Sequence, residues 1–203
     1  MSHYFTDNRQ LAQNRKEISF RFSCFNYLFT TDNGVFSKGN IDEGTQILLN
    51  TIINDINGNK VLDLGCGYGP VGIVVKHTYP EASVHMVDVN PRAVELAIIN
   101  STNNSVETEI KVSNVYENVE DKDYTTIITN PPIRAGKAVI YEMFDKSIDH
   151  LSNNGVLFVV IRKQQGAMSA KVKIESVFGN CDIIHKEKGY IILKAIKKVD
   201  NLI

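Results

Sequence analysis

The chain has little of what marks several protein classes. Its longest wholly aliphatic or aromatic run is the six residues from Val156 to Ile161, far short of the ~20 apolar residues that a membrane-spanning helix needs. It has three cysteines, Cys24, Cys66 and Cys181, and no Cys-x-x-Cys spacing. That argues against a disulfide framework or a zinc site. The histidines, His77 and His85 among them, are scattered without ligand spacing, so no metal is expected. The opening stretch, MSHYFTDNRQ, is polar and lacks the apolar core of a secretion signal, and the cytoplasm is the simplest expected location. Repeats, low-complexity tracts and linkers are also missing. Residues 1–203 are therefore read as one domain, with 1–55 as an N-terminal extension and 56–203 as its core.

Charge of either sign is not in excess overall, since the net value is −1. Its distribution is uneven. Residues 51–132 carry five Lys and Arg against eleven Asp and Glu, whereas residues 133–203 carry twelve against seven. A basic final third either sets cations beside an anionic polymer or is a solvated lysine-rich surface.

What is present is a regular alternation. Residues 18–31, ISFRFSCFNYLFTT, place Ile18, Phe20 and Phe22 on one face and break near Asn26, which predicts a β-hairpin. DEGTQILLNTIIND (42–55) reads as an amphipathic helix with Ile47, Leu48, Thr51 and Ile52 inward. From residue 60 strands and helices alternate: KVLDLG, a helix opened by Pro70, SVHMVDV, a helix capped by Asn90, ETEIKVSNV, YTTIITN, a helix over 136–151, GVLFVVI, a helix over 166–178, and two strands around Lys188-Gly189. This order predicts an α/β fold: a doubly wound, seven-stranded sheet, mostly parallel, with right-handed crossovers. The last two strands are joined too tightly for a parallel crossover, so the C-terminal strand is antiparallel. Ligands of such sheets sit at the carboxyl ends of the strands, where Asp63, Asp88, Asn114 and Asn130 fall.

VLDLGCGYGPVG (61–72) has two readings. Residues 67–72 match the G-x-G-x-x-G dinucleotide fingerprint, with Asp88 further on, as in a nicotinamide dehydrogenase. Yet the turn begins earlier, at Gly65, and Pro70 has no N–H for a pyrophosphate. The second reading centres on Asp63-Leu64-Gly65-Cys66-Gly67. An acidic strand end repels a pyrophosphate but suits a cationic ligand, and glycines let backbone approach it.

IITNPPIRAG (127–136) ends a β-branched strand in an asparagine and two prolines. Each proline fixes its own φ and holds the preceding residue extended. The result is a stiff elbow that presents the Asn130 side-chain oxygen and the Pro131 carbonyl together.

VLDLGCGYG resembles the first motif of class I S-adenosylmethionine-dependent methyltransferases, and NPPI resembles their N-P-P-[YFWI] motif after the fourth strand. GVFSKGNIDEGTQILL (34–49) resembles the segment ahead of the first motif in the small methyltransferase domain family, which includes guanine-N2 methyltransferases of small-subunit ribosomal RNA. The resemblance covers nearly the whole chain. It implies a Rossmann-like fold, S-adenosylmethionine as cofactor, and methylation of a conjugated amine nitrogen, with ribosomal RNA or the small ribosomal subunit as partner.

On that resemblance Asn130, Pro131, Pro132 and Ile133 form the catalytic elbow, with Ile133 where a stacking aromatic is often found. Asp63, Gly65, Cys66, Gly67, Asp88 and Asn130 hold the cofactor. Asn114 and Val115 sit where relatives meet the adenine, or in a plain turn. Val89 packs on the adenine face or is an ordinary strand valine. Phe36 and Ser37 close over the cofactor, or serve as core and turn. Arg134, Lys137, Arg162 and Lys163 rim the site for RNA phosphates. The rival enzyme class methylates a protein glutamine amide or another nucleobase amine. The rival from outside catalysis is a domain that only binds RNA or a partner.

Overall fold

The computed structural model describes residues 14–35, 37, 39–56 and 59–199. Strands β1 (Lys16–Phe22) and β2 (Phe25–Thr31) form the antiparallel hairpin. Its turn lies at Ser23-Cys24, with Ser23 at φ 54°, and not near Asn26. Asn26 interrupts the apolar run only because it occupies an outward strand position, opposite Arg21.

Helix α1 (Glu43–Ile52) follows, N-capped by Asp42, whose carboxylate accepts from Thr45 N–H at 3.1 Å. The alternating core then runs β3 (Lys60–Leu64), α2 (Pro70–Thr78), β4 (Ser83–Asp88), α3 (Pro91–Asn103), β5 (Glu109–Val112), β6 (Tyr124–Thr129), α4 (Lys137–His150), β7 (Leu151–Arg162), α5 (Ala167–Phe178), β8 (Asp182–Glu187) and β9 (Tyr190–Ile196). The seven core strands lie in the order β5-β4-β3-β6-β7-β9-β8. Strand β9 runs antiparallel to both of its neighbours, β7 and β8, and the other six strands run parallel to one another. The C-terminal strand is antiparallel as expected, but it lies inside the sheet. Helix α5 carries the chain past one vacant position to β8, and the tight turn at Lys188 (φ 47°) and Gly189 (φ 81°) folds β9 back into that gap.

Both faces of the sheet are covered, so its central strands are apolar on both sides. The hairpin and helices α1 to α3 pack on one face around Val61, Met86, Ile128, Phe158 and Ile192. Helices α4 and α5 pack on the other around Leu62, Leu64, Ile127, Leu157 and Leu193. No helix among the described residues is long and apolar enough to cross a membrane.

An unforeseen device joins the hairpin to this core. The free edge of β2 faces α3, where Asn100 and Asn104 stand one turn apart. Asn100 Oδ1 accepts from Thr30 N–H at 2.6 Å and its Nδ2 donates to the Thr30 carbonyl at 3.0 Å. Asn104 repeats the pattern with Leu28, at 3.1 and 2.9 Å. Two carboxamides thus imitate a neighbouring strand and close an edge that would otherwise be open. Asn100 Nδ2 also donates to the Tyr68 carbonyl at 2.9 Å, linking this ladder to the glycine loop. Asn100→Ala strands buried backbone groups and is expected to cost about 1–3 kcal/mol. Urea unfolding checks this: a lower midpoint at unchanged slope is predicted, and a wild-type midpoint would mean that packing alone holds the hairpin.

Candidate active site

The strand order reverses between β3 and β6, and at the carboxyl ends of the strands there lies a cleft of about 940 Å³. Its floor is the glycine loop. Gly65 (φ 78°) and Gly67 (φ 57°) take left-handed backbone that L side chains rarely adopt. The N–H groups of Gly65 and Cys66 both donate to the Val87 carbonyl, at 2.8 and 2.9 Å, and fold the loop against β4. Gly67 N–H donates to Asp88 Oδ2 at 2.9 Å, and Gly72 N–H, in the first turn of α2, donates to Asp63 Oδ2 at 2.9 Å. Gly69 caps α2 without a side chain, so the Asp63 carboxylate serves that orphan N–H from the adjacent strand. These bonds count against a dinucleotide reading. The N–H groups that would receive a pyrophosphate are absent at Pro70 or already held by carboxylates at Gly67 and Gly72.

Asp63 and Asp88 are 2% and 5% exposed. Burial pushes the Asp63 carboxyl up to about 7, with the neighbouring Asp88 charge adding to the rise and the Gly72 N–H opposing it. Burial also raises Asp88, against the pull of hydrogen bonds from the Asn90 and Gly67 N–H groups. Two acids held so deep in a cleft suit a cationic, hydroxyl-bearing ligand. A cofactor with an ammonium and a ribose fits this donor set. Cys66, buried beside them, has its thiol pushed well upward by burial and then by both carboxylates, so it is no nucleophile.

The second motif meets the first directly. Thr129 Oγ1 donates to the Leu64 carbonyl at 2.8 Å, and a Cβ placed on Gly65 would lie 4.0 Å from Pro132 Cδ. Asn130 follows, and its Nδ2 donates to Asp42 Oδ2 and Thr45 Oγ1, each at 3.0 Å. A carboxylate only accepts, so the amide nitrogen must face Asp42. No buried side-chain N or O among the described residues lacks a partner, and Oδ1, which no donor among the described residues takes, is therefore open to the cleft. The Pro132 carbonyl accepts from Ala135 N–H at 2.9 Å in the short turn Ile133–Ala135. The Pro131 carbonyl has no such donor among the described residues. The elbow thus leaves two oxygens available and ties down the groups around them.

The structure brings most of the sequence-predicted residues to this one cleft. Ser37, Asp63, Gly65, Cys66, Gly67, Asp88, Val89, Asn114, Val115, Asn130, Pro131, Pro132, Ile133, Arg134 and Arg162 all line the cleft. Strand β5 ends at Val112, so Asn114 and Val115 (φ 52°) belong to the following turn. Lys137, exposed at the start of α4, and Lys163, exposed just after β7, are not among the residues that line the cleft. Phe36 falls outside the described residues. Asp42, Thr45 and Tyr190 line the cleft without having been foreseen. The signal for Asp42 was an N-cap spacing, Asp-x-x-Thr, whose reach to Asn130 no local pattern reveals.

The raised pKa of Asp63 has opposite consequences for the free and ligated protein. Between pH 3.8 and about 7 the folded chain keeps a proton that the unfolded chain releases, so the stability of the free protein falls as pH rises through that window. A cation bound beside Asp63 favours the ionised form, so its affinity should drop below about pH 7, by up to ~tenfold per unit. Calorimetric titration with S-adenosylhomocysteine from pH 5.5 to 8 reads this directly. A flat affinity would remove Asp63 from the ligand site.

Comparison with known proteins accords with this geometry. The family described as "Methyltransferase small domain" matches residues 26–194. The chain is 40% identical over 198 residues to the uncharacterized protein YbxB of Bacillus subtilis, covering 96% of this chain and 98% of that one. It is 34% identical over 142 residues to the ribosomal RNA small subunit methyltransferase C of Buchnera aphidicola, covering 68% of this chain and 44% of the relative. The Haemophilus influenzae enzyme of the same name is 39% identical over 131 residues, 63% of this chain and 39% of its own length. The chain thus spans less than half the length of these two methyltransferases. Among solved structures, a Thermus thermophilus 16S rRNA N2 G1207 methyltransferase in complex with AdoMet and guanosine superposes with a TM-score of 0.82 at 26% identity, over 91% of this chain and 51% of that one. The protein, on its cleft, its two motifs and these matches, belongs to the methyltransferase small domain family.

Proposed function

We propose that the protein is an S-adenosylmethionine-dependent methyltransferase whose acceptor is guanine N2 of small-subunit ribosomal RNA. One observation carries this reading: the Asn130 amide is fixed by Asp42 and Thr45 so that its oxygen, beside the Pro131 carbonyl, faces a cleft floored by Asp63 and Asp88. S-adenosylmethionine, when bound, supplies a methyl group activated by a sulfonium. Asp63 would hold its ammonium and Asp88 its ribose hydroxyls. The protein's own work is then to prepare the acceptor nitrogen. An exocyclic base amine is planar, with its lone pair conjugated into the ring. Two acceptors aimed at its two hydrogens orient it and favour pyramidal geometry, which frees the lone pair for in-line attack. Asn130 is no base, since a carboxamide does not take a proton near pH 7. The proton that the methylated nitrogen loses passes to water.

The charge distribution supports a polyanionic substrate. In the basic final third, Lys146, Lys171, Lys173, Lys188 and Lys194 are all paired with carboxylates. Arg134, Lys137 and Lys163, which follow β6 and β7 in the chain, have no such pair among the described residues. Cations held for an external anion are left in this state. The names of the methyltransferase C relatives and of the guanosine complex point the same way.

The test is to offer the protein radiolabelled S-adenosylmethionine with deproteinised RNA, small ribosomal subunits and release factors. Nucleoside analysis should find label in N2-methylguanosine. Label in a release factor glutamine, which satisfies the same two acceptors, would overturn the RNA assignment. Asn130→Ala should cut turnover by about 10²-fold or more while leaving affinity for S-adenosylhomocysteine nearly unchanged. An equal loss of cofactor affinity would show that Asn130 has a different role. Asp88→Ala should instead weaken the cofactor itself, and an unaltered calorimetric titration would place Asp88 outside the site.

A further inference from the structure

Ile133 follows the two prolines, so the elbow offers no ring to an unstacked base. The other rings on the cleft wall among the described residues, Tyr68 and Tyr190, are 4% and 6% exposed. The face of Tyr190 is already covered: Arg162 Cζ lies 4.6 Å from its ring centroid. Arg162 lines the same cleft as Asn130 and closes β7, the strand that pairs with β6. Tyr190 is itself held firmly. It stands opposite Arg162 in the β7–β9 ladder, and its ring edge presses on Gly44, where any Cβ would lie 2.6 Å from a ring carbon. Gly44 sits between Asp42 and Thr45, the residues that grip Asn130. Guanidinium, ring, glycine and elbow amide therefore form one continuous wall.

We propose that Arg162, held over the ring of Tyr190, is the platform on which the target base stacks, in place of an aromatic residue at position 133. The inference rests on the nucleobase reading above and names the residue that holds the base there. A guanidinium is planar and weakly hydrated, and it stacks on rings through both faces. Tyr190 backs it, with the ring centroid 4.6 Å from Arg162 Cζ. A phosphate is the poorer ligand at this position. The Asp42 and Glu43 carboxylates also act on Arg162 and would repel an anion, whereas a neutral base meets no such repulsion. Arg134 is the contrast. It is exposed on a short turn with no ring beneath it among the described residues, a setting that suits a phosphate contact.

The test compares the wild-type chain with Arg162→Lys, Arg162→Gln and Arg134→Lys, each saturated with S-adenosylhomocysteine. Guanosine, which carries no phosphate, is titrated first, and substrate RNA is then titrated at several salt concentrations. Base stacking is worth about 1–3 kcal/mol, which corresponds to roughly 5- to 150-fold in affinity. Arg162→Lys keeps the charge and loses the plane, so guanosine affinity should fall within that range. Affinity for S-adenosylhomocysteine, which reports on the fold, should stay constant, and Arg134→Lys should bind guanosine as the wild type does. Guanosine binding by Arg162→Lys at wild-type strength would overturn the platform. So would a fall of about one in the salt slope of RNA binding for Arg162→Gln, the mark of a lost phosphate contact. If the wild-type chain binds neither guanosine nor RNA, the nucleobase reading falls with it.

Discussion

The site depends on how one carboxamide is held. Asn130 spends both its N–H bonds on Asp42 and Thr45, and a carboxylate at Asp42 admits no other orientation. The oxygen is left facing the cleft without needing a ligand to place it there. An asparagine free to rotate would offer a donor about as readily as an acceptor, and a donor aimed at an amine works against the proposed chemistry. Asp42 is also the N-cap of α1. The start of that helix and the orientation of the elbow amide are thus fixed by the same side chain. Gly44 extends the coupling, because it lets Tyr190 approach and brings Arg162 to the same wall.

The fold brings these pieces together by the ordinary logic of a doubly wound sheet. The reversal of strand order between β3 and β6 opens a crevice at their carboxyl ends. The glycine loop leaves one of these strands and the elbow leaves the other, tied together through Thr129 and Leu64. Buried carboxylates on the floor are costly while they face only backbone N–H groups, as the raised pKa of Asp63 records. A ligand that brings a positive charge removes part of that cost, which makes the strain at Asp63 a form of selectivity.

Much of this was legible in the residues themselves. Strand and helix alternation, the antiparallel last strand, the glycine loop and the elbow all rest on local patterns: period, Gly and Pro placement, and apolar runs. The misreadings have physical reasons. Asn26 looked like a turn because outward strand positions are polar too. The insertion of β9 between β7 and β8 depends on which sheet position α5 leaves vacant, and no local pattern encodes that. The grip on Asn130 joins residues 88 and 85 apart in sequence. The carboxamide ladder of Asn100 and Asn104 reaches across 70 or more residues to β2. Side-chain bonds of that span leave no period to detect.

The central claim, that two fixed oxygens grip the two hydrogens of a flat amine, is tested most directly by a crystal structure of the protein with S-adenosylhomocysteine and guanosine. The account predicts the guanine amino nitrogen within about 3.2 Å of both Asn130 Oδ1 and the Pro131 carbonyl, hydrogen-bonding distance for an N–H donor, with Asn130 still bonded to Asp42 and Thr45. An amino group turned away from the elbow, or an Asn130 rotated to present its nitrogen to the base, would contradict it.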